Sequence, residues 1–379
     1  MPGPLLPGST IGVVGGGQLG RMLAQVAHQF GYRVAVLTGG AKDTPAGSIS
    51  EIEIAAPFDD DTAVERFLAE SDVITWEFEN VDPSLAEAAA AAGVPVHPSG
   101  AIIADAQDRQ REKRALTAAG VAVAPWRPAD TSDELRDAVE HLGVPVIAKA
   151  ARFGYDGKGQ VRIDDPAEIE AAWTTLGGER LVVEAVIPFE RELSVVVARG
   201  ADGTVVDHGV MENHHVHHIL DTTIVPAEIP ADRADEARAL AHRIAAAWDL
   251  VGVLCVEIFD TGQKLLVNEV APRPHNSGHC TIEAAAASQF EQQLRAVCGL
   301  PLGDGECRPA AMVQLLGDLW TDGEPLWPAA LRDSMIHLHL YGKAEAGPGR
   351  KMGHLTCVGD TAAQALQRAN DARVVLSGR

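Results

Sequence analysis

A chain of 379 residues with 46% hydrophobic and 22% charged side chains has ordinary globular composition and is too long for one simple core, so two or three packed lobes are expected. No apolar run approaches the roughly 20 residues that a membrane span needs, which sets a membrane protein aside. The net charge of −22 sets nucleic acid aside as a partner, because an acidic surface repels phosphate unless basic groups are strongly localised. Residues 1–10 read as a Pro/Gly tail. Its start, Met1-Pro2-Gly3-Pro4, lacks the basic-then-apolar pattern of a secretory signal, and a cytoplasmic protein is expected. Residues 11–14 form a buried-strand pattern that runs into Gly15-Gly16-Gly17-Gln18-Leu19-Gly20. A helix over 21–30 follows, with Gly31 as its cap, and then a strand over 33–37. Residues 71–76 and 94–97 read as further parallel strands, with an alanine-rich helix over 84–92 between them. The alternation predicts an open α/β sheet over 11–100.

From 105 to 140 the chain reads as helical and charged. A strand over 144–149, a glycine-rich loop and a strand over 161–163 come next, followed by a helix over 166–176 and a strand over 181–187. Strand–loop–strand is a hairpin and not a βα unit, so this is a separate small α+β lobe. The third section carries strands near 193–199, 204–210, 252–259 and 264–270 with a helix at 232–249. The last sixty residues hold a strand over 335–341, a basic loop and a helix over 361–371. The expected division is an α/β domain over 1–105, a lid and linker domain over 106–190, and a mixed-sheet catalytic domain over 191–379.

Gly15-x-Gly17-x-x-Gly20 after a strand and before a helix matches the dinucleotide fingerprint. A dinucleotide site also wants an acid at the end of the second strand. That strand ends Val36-Leu37-Thr38-Gly39-Gly40, with no acid before Asp43. The turn either packs helix on sheet or points a helix N-terminus at an anionic group.

The second glycine loop follows Lys149 and reads Gly154-Tyr155-Asp156-Gly157-Lys158-Gly159-Gln160. Three glycines let backbone amides approach phosphate, and Lys149 at the strand end reaches the same space. No Ser or Thr follows Lys158, so it is not a Walker A loop. A solvated hairpin turn is the plainer account, but the loop is rich for that. Glu257 and Glu269 sit in apolar strands read as an antiparallel pair. Buried acids side by side need a cation, and magnesium with oxygen ligands and nucleotide phosphates fits, with Asn268 adding a neutral oxygen. A dense polar run over 271–279 follows. Residues 341–354 form a basic island, with Lys343 and Arg350 as a candidate phosphate clamp. The tract Glu212-Asn213-His214-His215-Val216-His217-His218 suits either a metal or polar contacts at a strand end, and the second is preferred because no spaced ligand set accompanies it. The five cysteines, Cys255, Cys280, Cys298, Cys307 and Cys357, form no CxxC and read as idle thiols.

Together these motifs resemble the N5-carboxyaminoimidazole ribonucleotide synthetase family of the ATP-grasp superfamily, from Gly15 to about Leu355. The strongest pieces are Gly-Gly-Gly-Gln-Leu-Gly-Arg-Met at 15–22, Thr-Trp-Glu-Phe-Glu-Asn-Val at 75–81, Gly-Tyr-Asp-Gly-Lys-Gly-Gln at 154–160, Asn-Glu-x-Ala-Pro-Arg-x-His-Asn-Ser-Gly-His at 268–279 and the run at 341–354. The resemblance implies an ATP-grasp fold, with a parallel α/β pre-ATP-grasp domain, a small lid and a mixed-sheet domain, and a homodimer. It implies ATP held by Arg109 and Lys149, by the loop 154–160, by Glu184, Ala185, Val186 and Ile187 at the adenine, by Glu192 at the ribose, and by His215, Asn268 and Glu269. Glu257 and Glu269 would hold magnesium, with manganese as an alternative. Tyr155, Asp156, Arg273, His275, Asn276, Lys343 and Arg350 would surround aminoimidazole ribonucleotide, and Lys149, Asp156, Arg273, His275 and Asn276 form the catalytic set. The chain departs from the family at His218, where Gly is common, and at Thr356, where Asn is common. The implied reaction joins ATP, bicarbonate and 5-aminoimidazole ribonucleotide to give the N5-carbamate, ADP and phosphate. No enzyme nucleophile is needed, and no Ser/His/Asp or Cys/His arrangement stands out in the sequence. Another ATP-grasp ligase, using formate or resembling biotin carboxylase, and a non-catalytic nucleotide-binding regulator are the rival readings.

Overall fold

The computed structural model describes residues 3–82, 84–154, 158–376 and 378. Short apolar runs build the first sheet. β1 (Thr10–Val14), β2 (Arg33–Leu37), β3 (Ile52–Ile54) and β4 (Val73–Trp76) lie parallel in the order β3-β2-β1-β4. Every residue of β1 and β4 is buried, as a parallel sheet covered on both faces requires. The helix Gln18–Gln29 lays Met22, Leu23, Ala24 and Ala27 on one face. It starts three residues before the predicted position. β3 is too short to show a period and is not anticipated. The strand expected at 94–97 is only a single parallel bridge between Ile74 and Val96.

β5 (Trp126–Ala129), β6 (Val146–Ala150), β7 (Gln160–Ile163) and β8 (Leu181–Ala185) form an antiparallel sheet in the order β5-β8-β6-β7. β6 and β7 are the hairpin that the strand–loop–strand pattern predicts. β5 falls inside the stretch expected to be helical. Pro125 and Pro128 cannot continue a helix, so the stretch divides into helices Gly100–Ala106, Arg109–Ala118 and Ser132–Leu142 with β5 between the last two. Leu135, Val139, Ile169 and Ala172 close this lobe over Val146, Ala148, Ile163 and Val183.

The third sheet holds β9 (Arg191–Arg199), β10 (Val205–Val216), β11 (Ile219–Val225), β12 (Gly252–Asp260), β13 (Leu265–Ala271), β14 (Ala310–Leu316), β15 (Ile336–Leu340) and β16 (Lys351–Val358). It is antiparallel throughout, in the order β13-β12-β9-β10-β11-β14-β16-β15. β11 and β14 are not anticipated. The basic run expected as a loop ends in β16, and the polar run 271–279 contains a 3-10 turn, Asn276–Cys280. The helix Ala231–Ala247 packs Ala237, Ala241 and Ile244 against Val195, Val197, Leu254 and Val256. On the other face the helix Gln289–Val297 reaches the first sheet. Gln293, fully buried, accepts from Val253 N–H at 2.6 Å and donates to Thr75 Oγ1 at 2.6 Å, so one side chain joins β12 to β4. No helix among the described residues is long and apolar enough to cross a membrane.

Asp207 on β10 anchors the helix Ala231–Ala247. Its carboxylate accepts from Arg238 at 2.9 Å and meets His242 Nε2 at 2.6 Å. Burial opposes the charge, but His242, the Gly209 N–H and Arg238 hold the carboxyl at about 2. A depressed folded pKa stabilises the fold above the ordinary value of about 4, and that contribution is lost as pH falls through the folded value. Asp207→Asn should therefore unfold at lower urea than the native chain at neutral pH, with the gap closing as pH drops from about 4 toward about 2. Urea titrations of both proteins at stepped pH check this, and a gap independent of pH would show that the ion pairs do not stabilise the helix.

Candidate active site

A cleft of about 580 Å³ opens where the three sheets meet. Its charged floor starts from one helix. Arg109, Glu112 and Lys113 occupy positions i, i+3 and i+4 of Arg109–Ala118, so their side chains share a face. Arg109 Nη1 donates to Glu269 Oε2 at 2.6 Å, and Lys113 Nζ donates to Asn268 O at 2.6 Å. Glu112 Oε1 accepts from Val270 N–H at 2.7 Å. Lys113 and Lys149 also reach the carboxylate of Glu184 from two sides, at 2.7 and 2.6 Å. Burial alone would raise the Glu184 carboxyl, but Lys113 and Lys149 hold it well below the usual carboxylate range. Glu269 behaves alike: burial opposes its charge, and Arg109 and Lys149 overcome that. Glu112 does not. Burial pushes its carboxyl up to about 8, against Lys113, so it is protonated at neutral pH.

The wall toward the first sheet is built on glycine. Gly15 has φ +115°, and a Cβ there would meet the Glu77 side chain at 2.6 Å. Glu77 accepts from Gly17 N–H at the start of the helix Gln18–Gln29. A carboxylate of this chain thus sits at the helix N-terminus that the fingerprint offered to an anion. Burial raises the Glu77 carboxyl above its ordinary value. Two residues on, Glu79 takes both arms of Arg273, at 2.6 and 3.2 Å.

The third wall is the β10–β13 face. Glu257 lies 3.1 Å from His275 Nε2, and Asn276 Nδ2 donates to Gln314 Oε1 at 2.9 Å. His215 Nδ1 meets Glu192 Oε2 at 2.6 Å. Burial lowers the His215 pKa, but Glu192 and Glu257 together lift it above its ordinary value. Phe189 stacks on Phe259 at 4.7 Å as an apolar patch beside them. His217 and His218 form the two-residue turn between β10 and β11, both with left-handed φ, and His218 faces the cleft.

The structure thus brings together, around one cleft, Arg109, Lys149, Gly154, Gln160, Glu192 and His215 with Glu257, Asn268, Glu269, Arg273, His275 and Asn276. Gly154 O accepts from Arg109 at 3.3 Å, and Gly159 O accepts from Ala150 N–H. Lys158, Gly159, Ala185, Val186 and Ile187 follow β6 or precede β9 without lining the cleft, and Glu184 lies beneath it. Tyr155, Asp156 and Gly157 lie outside the described residues. Lys343 donates to Lys351 O at 2.6 Å and Arg350 donates to Glu345 O at 2.8 Å; of the basic run it is Lys351 that lines the cleft. Sequence reasoning passes over Lys113, Glu112, Glu77 and Glu79. The motif at 75–81 carries the signal for Glu77 and Glu79, whereas Glu112 and Lys113 have none, since an acid or lysine on a charged helix reads as solvated. It also passes over the meeting of Ser277, His275 and Glu257. Those residues have the membership of a nucleophilic triad, but Ser277 is 1% exposed and meets the ring on Nδ1, away from the cleft.

The sequence matches the Ribonucleotide synthetase preATP-grasp domain over residues 8–107, the ATP-grasp domain over 114–290 and the Phosphoribosylaminoimidazole carboxylase C-terminal domain over 310–368. It is 43% identical over 358 residues to N5-carboxyaminoimidazole ribonucleotide synthase of Bacillus subtilis (strain 168), covering 93% of this chain and 92% of that one. The Brucella melitensis synthase is 46% identical over 356 residues, covering 93% and 97%. An ADP complex of N5-carboxyaminoimidazole ribonucleotide synthetase superposes with a TM-score of 0.92 at 38% identity, covering 99% and 98%. The Aspergillus clavatus synthase in complex with ADP and 5-aminoimidazole ribonucleotide superposes with a TM-score of 0.90 at 31% identity, covering 99% and 100%. With this likeness spanning all three sheets and the cleft between them, the chain belongs to the N5-carboxyaminoimidazole ribonucleotide synthase family of ATP-grasp ligases.

Proposed function

We propose that this protein carboxylates the amine of 5-aminoimidazole ribonucleotide, using ATP and bicarbonate, in de novo purine synthesis. The observation that carries the reading is one cleft with two kinds of wall. Arg109, Lys149, Glu257 and Glu269 form a phosphoryl-transfer side, and Glu79, Arg273, His275 and Asn276 form an adjoining polar side for a second substrate, meeting it where His275 touches Glu257.

Bicarbonate is a poor electrophile. Phosphorylation by ATP makes carboxyphosphate, which decomposes in water, so the protein must stabilise charge on the transferring phosphoryl and keep water out until the amine attacks. Lys149, fixed by Glu184, and Arg109, fixed by Glu269, place positive charge without reorganisation. The 154–160 loop is the cover, tied at its first residue to Arg109. The 184–187 segment takes the adenine, and Glu192 with His215 takes the ribose side. Arg273, His275 and Asn276, with Tyr155 and Asp156, surround the ribonucleotide base, and Lys343, Arg350 and Lys351 clamp its phosphate. The lobes 1–105, 106–190 and 191–379 are the working units, in a cytoplasmic homodimer.

Magnesium, or manganese, fits the residues present. Asn268 Oδ1 is buried with no hydrogen-bond partner among the described residues, and Glu257 and Glu269 stand on the paired strands β12 and β13. Two carboxylates and an amide oxygen suit a hard cation that completes its shell with phosphate oxygens. Bound there, it supplies charge neutralisation at the transferring phosphoryl group.

ATP hydrolysis should require magnesium, and carbamate formation should require bicarbonate and aminoimidazole ribonucleotide together. Coupled phosphate release and product chromatography check this; product formed from formate instead would make the protein a transformylase. Glu269→Gln should stay folded and lose orders of magnitude in turnover, since a ligand of the phosphoryl-transfer centre and the partner of Arg109 go together. Near-normal turnover at saturating magnesium would remove Glu269 from the centre. Arg350→Ala should raise KM for the ribonucleotide roughly ten- to a hundredfold and leave KM for ATP unchanged. The opposite pattern in steady-state kinetics would place the basic run at the nucleotide.

A further inference from the structure

One buried amide joins the cleft wall to the third sheet behind it. Gln314 stands on β14, is 1% exposed and does not line the cleft. Its Nε2 donates to Gly353 O on β16 and lies 3.3 Å from the Tyr341 hydroxyl. Its Oε1 lies 2.9 Å from Nδ2 of Asn276, which does line the cleft. Asn276 Oδ1 is buried and has no hydrogen-bond partner among the described residues. A buried carbonyl oxygen left without a donor is costly, so it calls for one.

Side-chain amides can be turned over, so which end donates is open in general. Here a backbone group decides it. A backbone carbonyl only accepts, so the end of Gln314 at Gly353 O is its NH2 group and the other end is its oxygen. An amide oxygen likewise only accepts, so the Asn276 atom that faces it is the NH2 group. Turning either amide over would set carbonyl against carbonyl or NH2 against NH2. The orientation of Asn276 is therefore set from β16, through Gln314, and its Oδ1 is left as an acceptor.

We propose that Gln314 is a positioning residue for the second substrate: it holds Asn276 so that Oδ1 accepts a hydrogen bond from the exocyclic amine of the ribonucleotide. The inference rests on the reading that Asn276 faces the ribonucleotide. Asn276 follows His275, whose Nε2 meets Glu257 at 3.1 Å, so this stretch of wall borders the phosphoryl-transfer side. The attacking amine must arrive at that border, with the ribose and phosphate farther from it. A ribose hydroxyl can donate or accept, and an amide in either orientation would serve it. An amine conjugated to the imidazole ring chiefly donates. A fixed acceptor therefore selects the amine and disfavours a nucleotide that lacks it.

The test is calorimetric binding, in the presence of ADP, of aminoimidazole ribonucleotide and of imidazole ribonucleotide, which lacks the amine, to the full-length protein. The native protein should bind the aminated nucleotide more tightly. Gln314→Met, close in volume, and Asn276→Ala should each weaken that nucleotide roughly tenfold and leave imidazole ribonucleotide within about twofold. The double variant should bind no more weakly than Asn276→Ala, because both residues act through one bond. Gln314→Asn, too short to reach Gly353 O and Asn276 together, serves if Gln314→Met does not fold. An equal loss for the two nucleotides, or no loss for either, overturns the inference and leaves the proposed reaction standing. A native protein that binds neither nucleotide overturns the proposed function, and the inference with it.

Discussion

Lys113 and Lys149 close on Glu184 in a space from which water is excluded, with the carboxylate 4% exposed and the two contacts at 2.7 and 2.6 Å. Two ammonium groups and one carboxylate leave one net positive charge beneath the cleft. Removing one partner from a buried pair leaves an uncompensated charge at a cost of roughly 3–5 kcal/mol, so the arrangement holds its members in place. It spans a helix and two strands, and through Lys113 and Asn268 O it reaches β13. The same helix holds Val270 N–H through Glu112 and Glu269 through Arg109. The second and third sheets therefore keep their relation through charges that neither sheet could bury alone.

That arrangement explains how a protein of net charge −22 can hold anionic substrates. Three cations at the cleft are paired with carboxylates of the chain: Lys149 with Glu184, Arg109 with Glu269, Arg273 with Glu79. Pairing keeps long, flexible side chains in one rotamer and spares the substrate the work of ordering them. The acids differ in state by environment. Glu184 and Glu269 stay charged because cations touch them, whereas Glu112, with more burial than compensation, carries its proton at neutral pH.

The first sheet joins the site through fewer, more directional contacts. Gln293 bridges Thr75 and Val253, and Arg273, just past β13 of the third sheet, reaches Glu79. Gly15 and Gly17 have no room for a side chain because Glu77 fills the space against them. The loop that resembles a dinucleotide fingerprint is thus occupied, in this chain, by its own carboxylate. Behind His275, buried polar atoms continue from Ser277 through Ser194, Asn213 and Thr223 on β9, β10 and β11, so the ring is tied to three strands through residues that do not line the cleft.

Periodicity and glycine placement decided the local elements: the parallel α/β start, the β6–β7 hairpin, the paired strands bearing Glu257 and Glu269, and the terminal helix. These follow from neighbours in sequence, and the motifs at 15–22, 75–81, 154–160, 268–279 and 341–354 carried the family. Short or edge elements such as β3, β5 and β11 were not legible, because three to seven residues show no clear period and β11 pairs with a strand two residues away. The roles of Lys113, Glu112 and Glu79 were hidden for a different reason. In sequence each is a charge on a polar stretch, and such charges are usually solvated. Only the packing of a helix against two sheets removes the water and forces each to find a partner from 71 to 194 positions away. The surroundings of His275 are likewise absent from any motif. Ser277, two residues on, meets its Nδ1, and Ser194 of β9 meets Ser277, and only the folded chain brings the strand behind the ring.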